Sequence, residues 1–330
     1  MLAPPDGLPE SAVAAALERF WALAVAAMRY RPVGWGSHHW EVTDTGGSRW
    51  FVTADELEKR RMTEGDPLAA AFARLRASLA AATDLCACGR TFVVAPVPAA
   101  DGGPVARVDD AFAVAVYPFV AGQSFGWGEF SAPDQRRAML DMLAAVHTAP
   151  AAARRHARAD DFAVPQRDEL EAACDPADEA PDAGPYARPA SLLVRRHAAP
   201  IRRLLERYDD LVRQARAQRA RAVLTHGEPH PGNTMLTAGG WVLIDWDTAA
   251  IAPPERDLCS LDLGDGAILA AYADATGVTP QPALLDLYRL RWDVTDLALD
   301  LSRFRRPHSG SADDEKCWAV LSSLVERVGD

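Results

Sequence analysis

The stretch from residue 224 to residue 247, LTHGEPHPGNTMLTAGGWVLIDWD, constrains the fold of this chain more than any other. It opens with a polar loop that carries Glu228 and Asn233, and it continues with a short apolar run, WVLI, that ends abruptly in Asp245. A polar loop followed by such a run is typical of a β-hairpin that returns the chain to the loop. We therefore expect Asp245 to lie beside Glu228 and Asn233.

Three oxygen-bearing side chains would meet at this point of the fold. A carboxylate such as that of Glu228 can take the proton of a nearby hydroxyl. The amide oxygen of Asn233 and the carboxylate of Asp245 are hard ligands suited to Mg²⁺, which keeps further coordination positions for phosphates. The combination predicts a phosphoryl-transfer site with Mg²⁺ as cofactor.

The length and charge of the chain narrow its class. With 330 residues it is long for a single hydrophobic core, which favours two lobes with a cleft between them. A formal net charge of -11 argues against nucleic acid as a partner, because clustered Lys and Arg drive phosphate-backbone binding. The uncharged run at residues 20–28 is much shorter than the roughly 20 apolar residues that span a bilayer. We expect a cytoplasmic protein without membrane association.

The five cysteines show no paired CxxC spacing, so neither a disulfide framework nor a zinc site is predicted. Lysines are scarce: Lys59 and Lys316 are the two among 35 basic residues.

The first third of the chain is predicted to contain helices around a β-rich region. Apolar residues at three- and four-residue steps predict one helix over residues 9–29 and another over residues 67–82. Two or three antiparallel strands are expected over residues 31–53, and further strands near residues 91–97 and 111–117.

A glycine-rich bend, GWGSH at residues 34–38, interrupts the β-rich region. Gly34 and Gly36 allow backbone N–H groups to approach phosphate oxygens without Cβ clashes. Gly34, Gly36, Ser37 and His38 are therefore candidate nucleotide-binding residues, with plain turn chemistry as the alternative.

The remaining two thirds are predicted to be mainly helical. Residues 132–148 form a periodic helix, and residues 149–189 look like an insertion or lid with one short helix near residues 167–174. A basic helix is expected over residues 191–222, and the last helices are expected near residues 256–276, 281–304 and 312–328.

The central motifs resemble those of the aminoglycoside phosphotransferase family. The family motif H-G-D-x-x-x-x-N followed by I-D-[WF] is matched here by HGEPHPGN at residues 226–233 and IDWD at residues 244–247. Val146-His147 and the PERDL run at residues 254–258 also resemble family features. The resemblance implies an α+β, bilobal, protein-kinase-like fold. Its N-lobe, residues 1–120, would hold an antiparallel sheet, a helix and the nucleotide site, and its mainly helical C-lobe, residues 121–330, would hold the catalytic loop and acceptor-binding helices.

The resemblance also implies roles for individual residues. Glu228 falls on the catalytic Asp of the family, in an HGE variant of the loop, and Asn233 and Asp245 fall on the metal ligands. His226 is expected to brace the catalytic loop by hydrogen bonds. His230 and Asp247 are either supporting groups or ordinary loop residues.

The junction between the lobes would supply further nucleotide contacts, from Pro118, Phe119 and Val120.

Two departures from the family pattern matter. Glu228 adds one methylene to the usual Asp, and an error of about 1 Å in placing a reacting group can cost on the order of a hundredfold in rate. Thr53 stands where the phosphate-binding strand lysine is expected. Either a nearby cation, Lys59, Arg60 or Arg61, replaces that charge, or the backbone of residues 34–38 suffices.

The acceptor site is predicted on the helix near residues 284–304. Asp293, Asp296 and Asp300 lie at three- and four-residue steps and hence on one face. This acidic stripe suits a polycationic acceptor. The alternative is a solvated face that Arg289, Arg291 and Arg303 partly neutralise.

The expected function is transfer of the γ-phosphoryl group of ATP or GTP to a hydroxyl of a small molecule, with an aminoglycoside- or nucleoside-type antibiotic as the leading acceptor class. The alternatives are a metabolic kinase for choline-like, amino-alcohol or sugar substrates, and a nucleotide-binding pseudokinase. A monomer or homodimer is expected.

Overall fold

The computed structural model describes residues 1–128, 130–132, 134–217 and 221–329, and it forms a bilobal α+β protein. The strands are β1 (Val25–Tyr30), β2 (His38–Asp44), β3 (Arg49–Glu56), β4 (Ala106–Arg107), β5 (Phe112–Pro118), β6 (Gln123–Ser124), β7 (Val223–Thr225), β8 (Thr234–Thr237), β9 (Gly240–Leu243) and β10 (Ala250–Ala252). The helices are α1 (Glu10–Trp21), α2 (Leu68–Ala87), α3 (Gln135–His147), α4 (Arg167–Ala173), α5 (Ala187–Arg196), α6 (Ala198–Ala217), α7 (Glu255–Leu261), α8 (Ala267–Thr276), α9 (Pro282–Phe304) and α10 (Ala312–Gly329).

The amino-terminal lobe is an antiparallel sheet with strand order β1-β2-β3-β5-β4. Alternate residues of its strands, among them Trp40, Val52 and Val114, are fully buried against α1. The residues between them belong to the opposite face, because side chains alternate along a strand. That second face, which includes Thr53 and Asp55, borders the cleft between the lobes.

The predicted single helix over residues 9–29 is wrong beyond Trp21. Ala22 adopts a left-handed conformation with φ of 54° and ends α1, and Val25–Tyr30 forms edge strand β1. Met28 was assigned to the helix by its apolar spacing, but it packs on the sheet core instead. Pairing with β2 satisfies the backbone of this segment, which overrides a weak helical pattern.

The predicted helix over residues 67–82 is confirmed and extends to Ala87. The strand predicted near residues 91–97 is wrong, because this segment makes only an isolated bridge from Val93 to Leu243 of β9. Hydrogen bonds from Val94 N–H to Leu243 O (3.0 Å) and from Leu243 N–H to Phe92 O (2.8 Å) complete the contact. Prolines at 96 and 98 limit further pairing, because proline has no N–H to donate.

The carboxy-terminal lobe is mainly helical, as predicted, and α9 lies at its centre in contact with α4, α6, α7 and α10. The predicted basic helix over residues 191–222 is divided at His197 into α5 and α6, and its residues 218–220 lie outside the described part of the chain. Pro200 falls in the first turn of α6, where a proline is tolerated but a continuing helix is not. The predicted helix near residues 256–276 is likewise two helices, α7 and α8.

Two small sheets position the motif stretch. The predicted hairpin is formed by β8 and β9, and β6 joins it at the edge of β8. Strand β7, which leads into His226, pairs with β10. No helix in the described ranges is long and apolar enough to cross a membrane.

Candidate active site

One buried carboxylate, that of Asp257, holds the backbone of the catalytic loop by hydrogen bonds. Asp257, in the first turn of α7, is fully buried and accepts hydrogen bonds from the backbone N–H groups of His226 (2.8 Å) and Gly227 (2.7 Å). Its Oδ2 also lies 3.0 Å from Nε2 of His147, the last residue of α3. Burial alone would raise the pKa of Asp257, but its hydrogen bond with His147 holds that pKa below the usual value. An ionised side chain therefore fixes the loop backbone.

His226 joins this loop to the segment that precedes Asp245. Its Nε2 lies 2.8 Å from the carbonyl oxygen of Ile244, and its Nδ1 accepts the backbone N–H of Glu228 at 3.2 Å. Because Nδ1 accepts a hydrogen bond, the proton is on Nε2 and the ring is neutral. Burial lowers the pKa of His226, which favours the same neutral form. With both nitrogens occupied, the ring is placed to brace the loop.

Gly227 allows the loop to pass close to Arg256. Its φ is 104°, and a Cβ added there would lie 2.4 Å from Nη2 of Arg256. The Arg256 guanidinium is itself held by Thr225 Oγ1 at 2.8 Å and by the Thr248 carbonyl at 2.9 Å. The loop is thus enclosed on this side, and a side chain at position 227 would have to displace the Arg256 guanidinium from these two hydrogen bonds.

The hairpin brings Asn233 and Asp245 beside Glu228. The Asn233 side-chain amide donates to the Glu228 carbonyl at 2.9 Å, and the Ile244 N–H donates to the Asn233 carbonyl at 2.9 Å. Asp245 has φ of 65°, a left-handed conformation that non-glycine residues seldom adopt. Such backbone strain of about 1–3 kcal/mol is typical of functional sites.

The carboxyl groups of Glu228, Asp245 and Asp247 are close enough to shift one another's pKa. Burial, with a further contribution from Asp247, raises the pKa of Glu228 to about 7. Burial, then Asp247 and Glu228, raises the pKa of Asp245 well above its usual value. Burial would also raise the pKa of Asp247, but the Arg60 guanidinium holds it below the usual value. The site therefore gathers three carboxyl groups whose ionised forms repel one another.

A divalent cation would offset this repulsion, and the oxygen donors suit one. Within the described ranges, no three His, Cys, Asp or Glu side chains are arranged as a metal site. Mg²⁺ is usually held by one or two carboxylates together with phosphate oxygens rather than by an all-protein cage. Asp245, with Asn233 as a further oxygen donor, makes up such a smaller set.

Arg60, on the short 3-10 helix Leu57–Arg60 that follows β3, forms an ion pair with Asp247 of this carboxylate group. Its Nη2 donates to Asp55 Oδ1 at 2.6 Å and also to Asp247 of the opposite lobe. Thr53, at the expected lysine position, is on the same face of β3 as Asp55 but is short and uncharged.

The two neighbouring cations lie elsewhere. Lys59 Nζ lies 2.5 Å from Glu56 Oε1, and 43% of its side chain is exposed. Arg61 donates to Glu58 at 2.6 Å and to the carbonyl of Asp66 at 2.6 Å.

The glycine-rich loop, residues 34–38, connects β1 to β2 beside the cleft. Gly34 and Gly36 have φ of 71° and 95°, and no atom lies within 4 Å of a Cβ built at Gly36. Ser37 Oγ donates to Asp55 Oδ1 at 2.6 Å. Trp35 between the two glycines is 46% exposed.

His38 points away from the cleft. It is 2% exposed, and its Nδ1 and Nε2 lie 3.1 Å from Tyr30 Oη and 3.0 Å from Glu56 Oε1. A nucleotide contact at this position is therefore open to its backbone and not to its ring.

Pro118, Phe119 and Val120 form the expected connection at the end of β5. The Arg49 guanidinium carbon lies 3.6 Å from the centroid of the Phe119 ring. This contact fixes the connection to the sheet.

The acidic stripe lies on α9 and is partly buried. Burial, with Asp300 and Asp293, raises the pKa of Asp296 to about 7, and burial raises that of Asp300 to about 6. Asp293 accepts a hydrogen bond from Arg327 at 2.9 Å, and Asp300 accepts one from Cys317 Sγ at 3.1 Å.

The arginines expected to neutralise this stripe form ion pairs elsewhere. Arg289, Arg291 and Arg303 pair with Asp262, Asp160 and Asp314, respectively.

The family model of the phosphotransferase enzyme family, APH, matches residues 28–297. The chain belongs to this family. Protein StrN of Streptomyces griseus is 32% identical to it over 246 residues, which is 72% of each chain. The predicted family and the prediction of a phosphotransferase are thereby confirmed.

Solved structures agree with the fold of this phosphotransferase. Spectinomycin phosphotransferase APH(9)-Ia, in complex with ADP and spectinomycin, gives a TM-score of 0.67 at 15% identity, over 96% of this chain and 97% of that chain. Choline kinase LicA from Streptococcus pneumoniae gives 0.59 at 9% identity, over 96% and 99%. At these identities the similarity concerns fold, and it confirms the predicted kinase-like architecture.

Sequence reasoning did not single out several residues that shape the site of this phosphotransferase. Asp257 was visible within the PERDL run, but the run does not reveal that its carboxylate reaches back to Gly227. Arg60 was one of three candidate cations, and no local pattern distinguishes it from its neighbours. Asp55 had no signal beyond its position in β3.

Proposed function

We propose that this phosphotransferase moves the γ-phosphoryl group of ATP or GTP to a hydroxyl of a small molecule, with Mg²⁺. The observation that carries the proposal is the placement of Glu228, on a rigid loop, beside Asn233 and the strained Asp245. The nucleotide would be bound mainly by residues 1–120 and the acceptor by residues 121–330.

Glu228 is the proposed general base. A base is most effective when its pKa is near the working pH, and burial raises the pKa of Glu228 to about 7. In this role the carboxylate accepts the proton of the acceptor hydroxyl as that oxygen attacks the γ-phosphorus, while the bond from the γ-phosphorus to the β,γ-bridging oxygen breaks and ADP or GDP leaves. His226 keeps the Glu228 backbone N–H in place through Nδ1.

Asn233 and Asp245 are the proposed Mg²⁺ ligands. Held by these two side chains, Mg²⁺ would neutralise part of the negative charge on the phosphate oxygens. The tie from Asn233 to the Glu228 carbonyl keeps the ligand and the base in one rigid unit.

The nucleotide is proposed to lie between the glycine-rich loop and the connection at Pro118, Phe119 and Val120. Gly34, Gly36, Ser37 and the backbone of His38 border its phosphates in this arrangement. The ADP bound in APH(9)-Ia supports a nucleotide as co-substrate.

The acceptor is proposed to be a cationic antibiotic. After burial and Asp247, the Asp296 carboxylate makes a smaller contribution to the raised pKa of Glu228, which supports an acidic stripe that continues towards the base. A cationic acceptor held by Asp293, Asp296 and Asp300 would present a hydroxyl at the same end of the cleft. The spectinomycin bound in APH(9)-Ia supports this acceptor class.

A metabolic kinase is the second candidate, because an acidic surface also suits a choline-like or amino-alcohol substrate and choline kinase LicA shares the fold. Purified enzyme should be offered ATP or GTP with matched panels of antibiotics and of amino alcohols and sugars, and the products weighed by mass spectrometry. Phosphorylated antibiotic alone supports the first candidate, and phosphorylated metabolite alone supports the second.

The base assignment is tested with Glu228→Gln. We expect phosphoryl transfer to fall by roughly a thousandfold, within the usual range for a lost general base, while nucleotide affinity stays unchanged. Turnover is measured by coupled assay and affinity by calorimetry. Glu228→Asp, the family residue, is the matched variant and should retain more activity than Glu228→Gln. A Glu228→Gln enzyme with normal turnover excludes this role, and wild-type protein that binds nucleotide without turnover on any acceptor supports a pseudokinase.

A further inference from the structure

We propose that Arg60 supplies the cation for the nucleotide phosphates that a strand lysine at position 53 does not supply, with Asp55 as its permanent counter-ion. The inference rests on the proposed function, because it assigns a residue to the nucleotide site described above.

Arg60 reaches the cleft from an unusual position in the chain. It is the last residue of the 3-10 helix after β3, and its side chain folds back so that Nε and Nη2 lie 3.0 Å and 2.6 Å from Asp55 Oδ1. Asp55 is two residues beyond Thr53 on the same face of the strand. The guanidinium therefore lies on the cleft side of the sheet, beside Thr53, where the family has its strand lysine.

The ion pair between Arg60 and Asp55 is largely buried. The Asp55 side chain is 3% exposed and that of Arg60 is 22% exposed. Burial opposes the charge of Arg60, but Asp55 and Asp247 together raise the pKa of the guanidinium, so it stays protonated. A buried arginine with a fixed partner keeps its direction when a second anion arrives.

One of the two anionic partners of Arg60 can be exchanged. Asp55 lies on the same lobe and also accepts the Ser37 hydroxyl, whereas Asp247 belongs to the opposite lobe and to the crowded carboxylate group. Nη1 donates none of the hydrogen bonds to Asp55, Asp247 or Ser37. Arg60 can therefore bind phosphate through Nη1, or through Nη2 in place of Asp247, without leaving Asp55.

The glycine-rich loop is coupled to the same pair. Ser37 Oγ lies 2.6 Å from Asp55 Oδ1 and 3.5 Å from Arg60 Nη2. Backbone donors of the loop and the side chain of Arg60 would thus approach the phosphates together.

The test compares ligands that differ only in phosphate. Calorimetry without added Mg²⁺ measures binding of adenosine, AMP, ADP and AMP-PNP, or the guanosine series if the wild type prefers it. Arg60→Met should weaken ADP and AMP-PNP by roughly 10- to 100-fold, as expected for a lost charge-assisted contact, and leave adenosine within twofold. Arg60→Lys should recover part of the loss. Arg107→Met, on edge strand β4 with its partner Asp110, is the matched control and should bind all ligands like the wild type.

The variant Asp247→Asn distinguishes two roles of Arg60: direct contact with phosphate, and an ion pair with Asp247 that only joins the two lobes. If Arg60 binds phosphate, removing its competitor leaves ADP affinity equal or tighter. If Arg60 acts only by pairing with Asp247, the two variants lose affinity alike and the inference is overturned. Equal loss of adenosine and ADP in a folded Arg60→Met protein, or a phosphate-dependent loss in Lys59→Met instead, also overturns it. Wild-type protein that binds no nucleotide refutes the proposed function itself, whereas normal ADP binding by Arg60→Met refutes this inference alone.

Discussion

The catalytic loop, residues 226–233, and the glycine-rich loop, residues 34–38, both contain glycines with positive φ, yet their surroundings are opposite. Gly227 has φ of 104° and would place a Cβ 2.4 Å from Arg256, whereas Gly36 has φ of 95° and open space around it. The first loop is tied at two successive N–H groups to Asp257. The second is held at its two ends, where the Gly34 carbonyl accepts the amino-terminal ammonium group of Met1 at 2.8 Å and Ser37 donates to Asp55.

This difference separates two uses of glycine. In the catalytic loop, glycine permits a close approach that makes the backbone rigid, which suits residues that must hold reacting groups within a fraction of an ångström. At Gly36 of the glycine-rich loop, glycine leaves the backbone room to adjust to a ligand. Substitutions should therefore lower stability more in the first loop than in the second, where the main additional effect should be on mobility.

The largest effect on stability is expected from Asp257→Ala. Three donors, on His147, His226 and Gly227, would lose their buried acceptor, and loss of one partner of a buried pair typically costs about 3–5 kcal/mol. Urea denaturation measures the change. Asp141→Ala, an exposed partner of Arg137 on α3, is the control and should change stability by at most about 0.5 kcal/mol. Similar values for the two variants would show that Asp257 does not hold the loop.

A smaller loss of stability is expected from Gly227→Ala, and comparison with Gly36→Ala tests the difference between the two loops directly. Both place a Cβ on a left-handed backbone, at a cost of roughly 1–2 kcal/mol. Gly227→Ala must also displace Arg256 from its two hydrogen bonds, which adds about 1 kcal/mol for each. The denaturation midpoint should fall clearly further for Gly227→Ala. Equal midpoints would mean that Arg256 yields without loss and that the loop is less enclosed than its contacts indicate.

The smallest effect is expected from Trp35→Ala. The Trp35 ring lies 4.9 Å from Lys316 Nζ and 5.8 Å from the Arg303 guanidinium carbon, contacts worth about 0.5–1 kcal/mol at an exposed site. Global stability should hardly change. Hydrogen exchange should accelerate at residues 34–38 and stay constant at residues 226–233. Lys316→Met should give a weaker version of the same result, and faster exchange in the catalytic loop would contradict independent support of the two loops.

The catalytic loop and the hairpin were predictable because their functional residues lie close together in the sequence. Glu228 and Asn233 are five residues apart, and the apolar run that ends in Asp245 follows a glycine-containing turn, as the second strand of a hairpin should. Strongly periodic helices, such as α2 and α3, were equally accessible.

The contacts that tune the site were not predictable, because they join distant positions. Asp257 meets His226 across 31 residues, and Arg60 meets Asp247 across 187 residues. Nothing in the spacing near Arg60 tells it apart from Lys59. Strand β1 was misread for a related reason, since Met28 fits an apolar helical face as well as a sheet face until tertiary pairing decides.

The bridge from residues 92–94 to Leu243 has a consequence for how such enzymes can be recombined. These residues precede the connection at Pro118 in the chain, but they share a backbone ladder with the strand that ends two residues before Asp245. One lobe therefore cannot be exchanged for that of a relative without changing this backbone contact. A chimera that took its first 120 residues from one parent and the rest from another would place a seam between foreign partners directly beside Asp245.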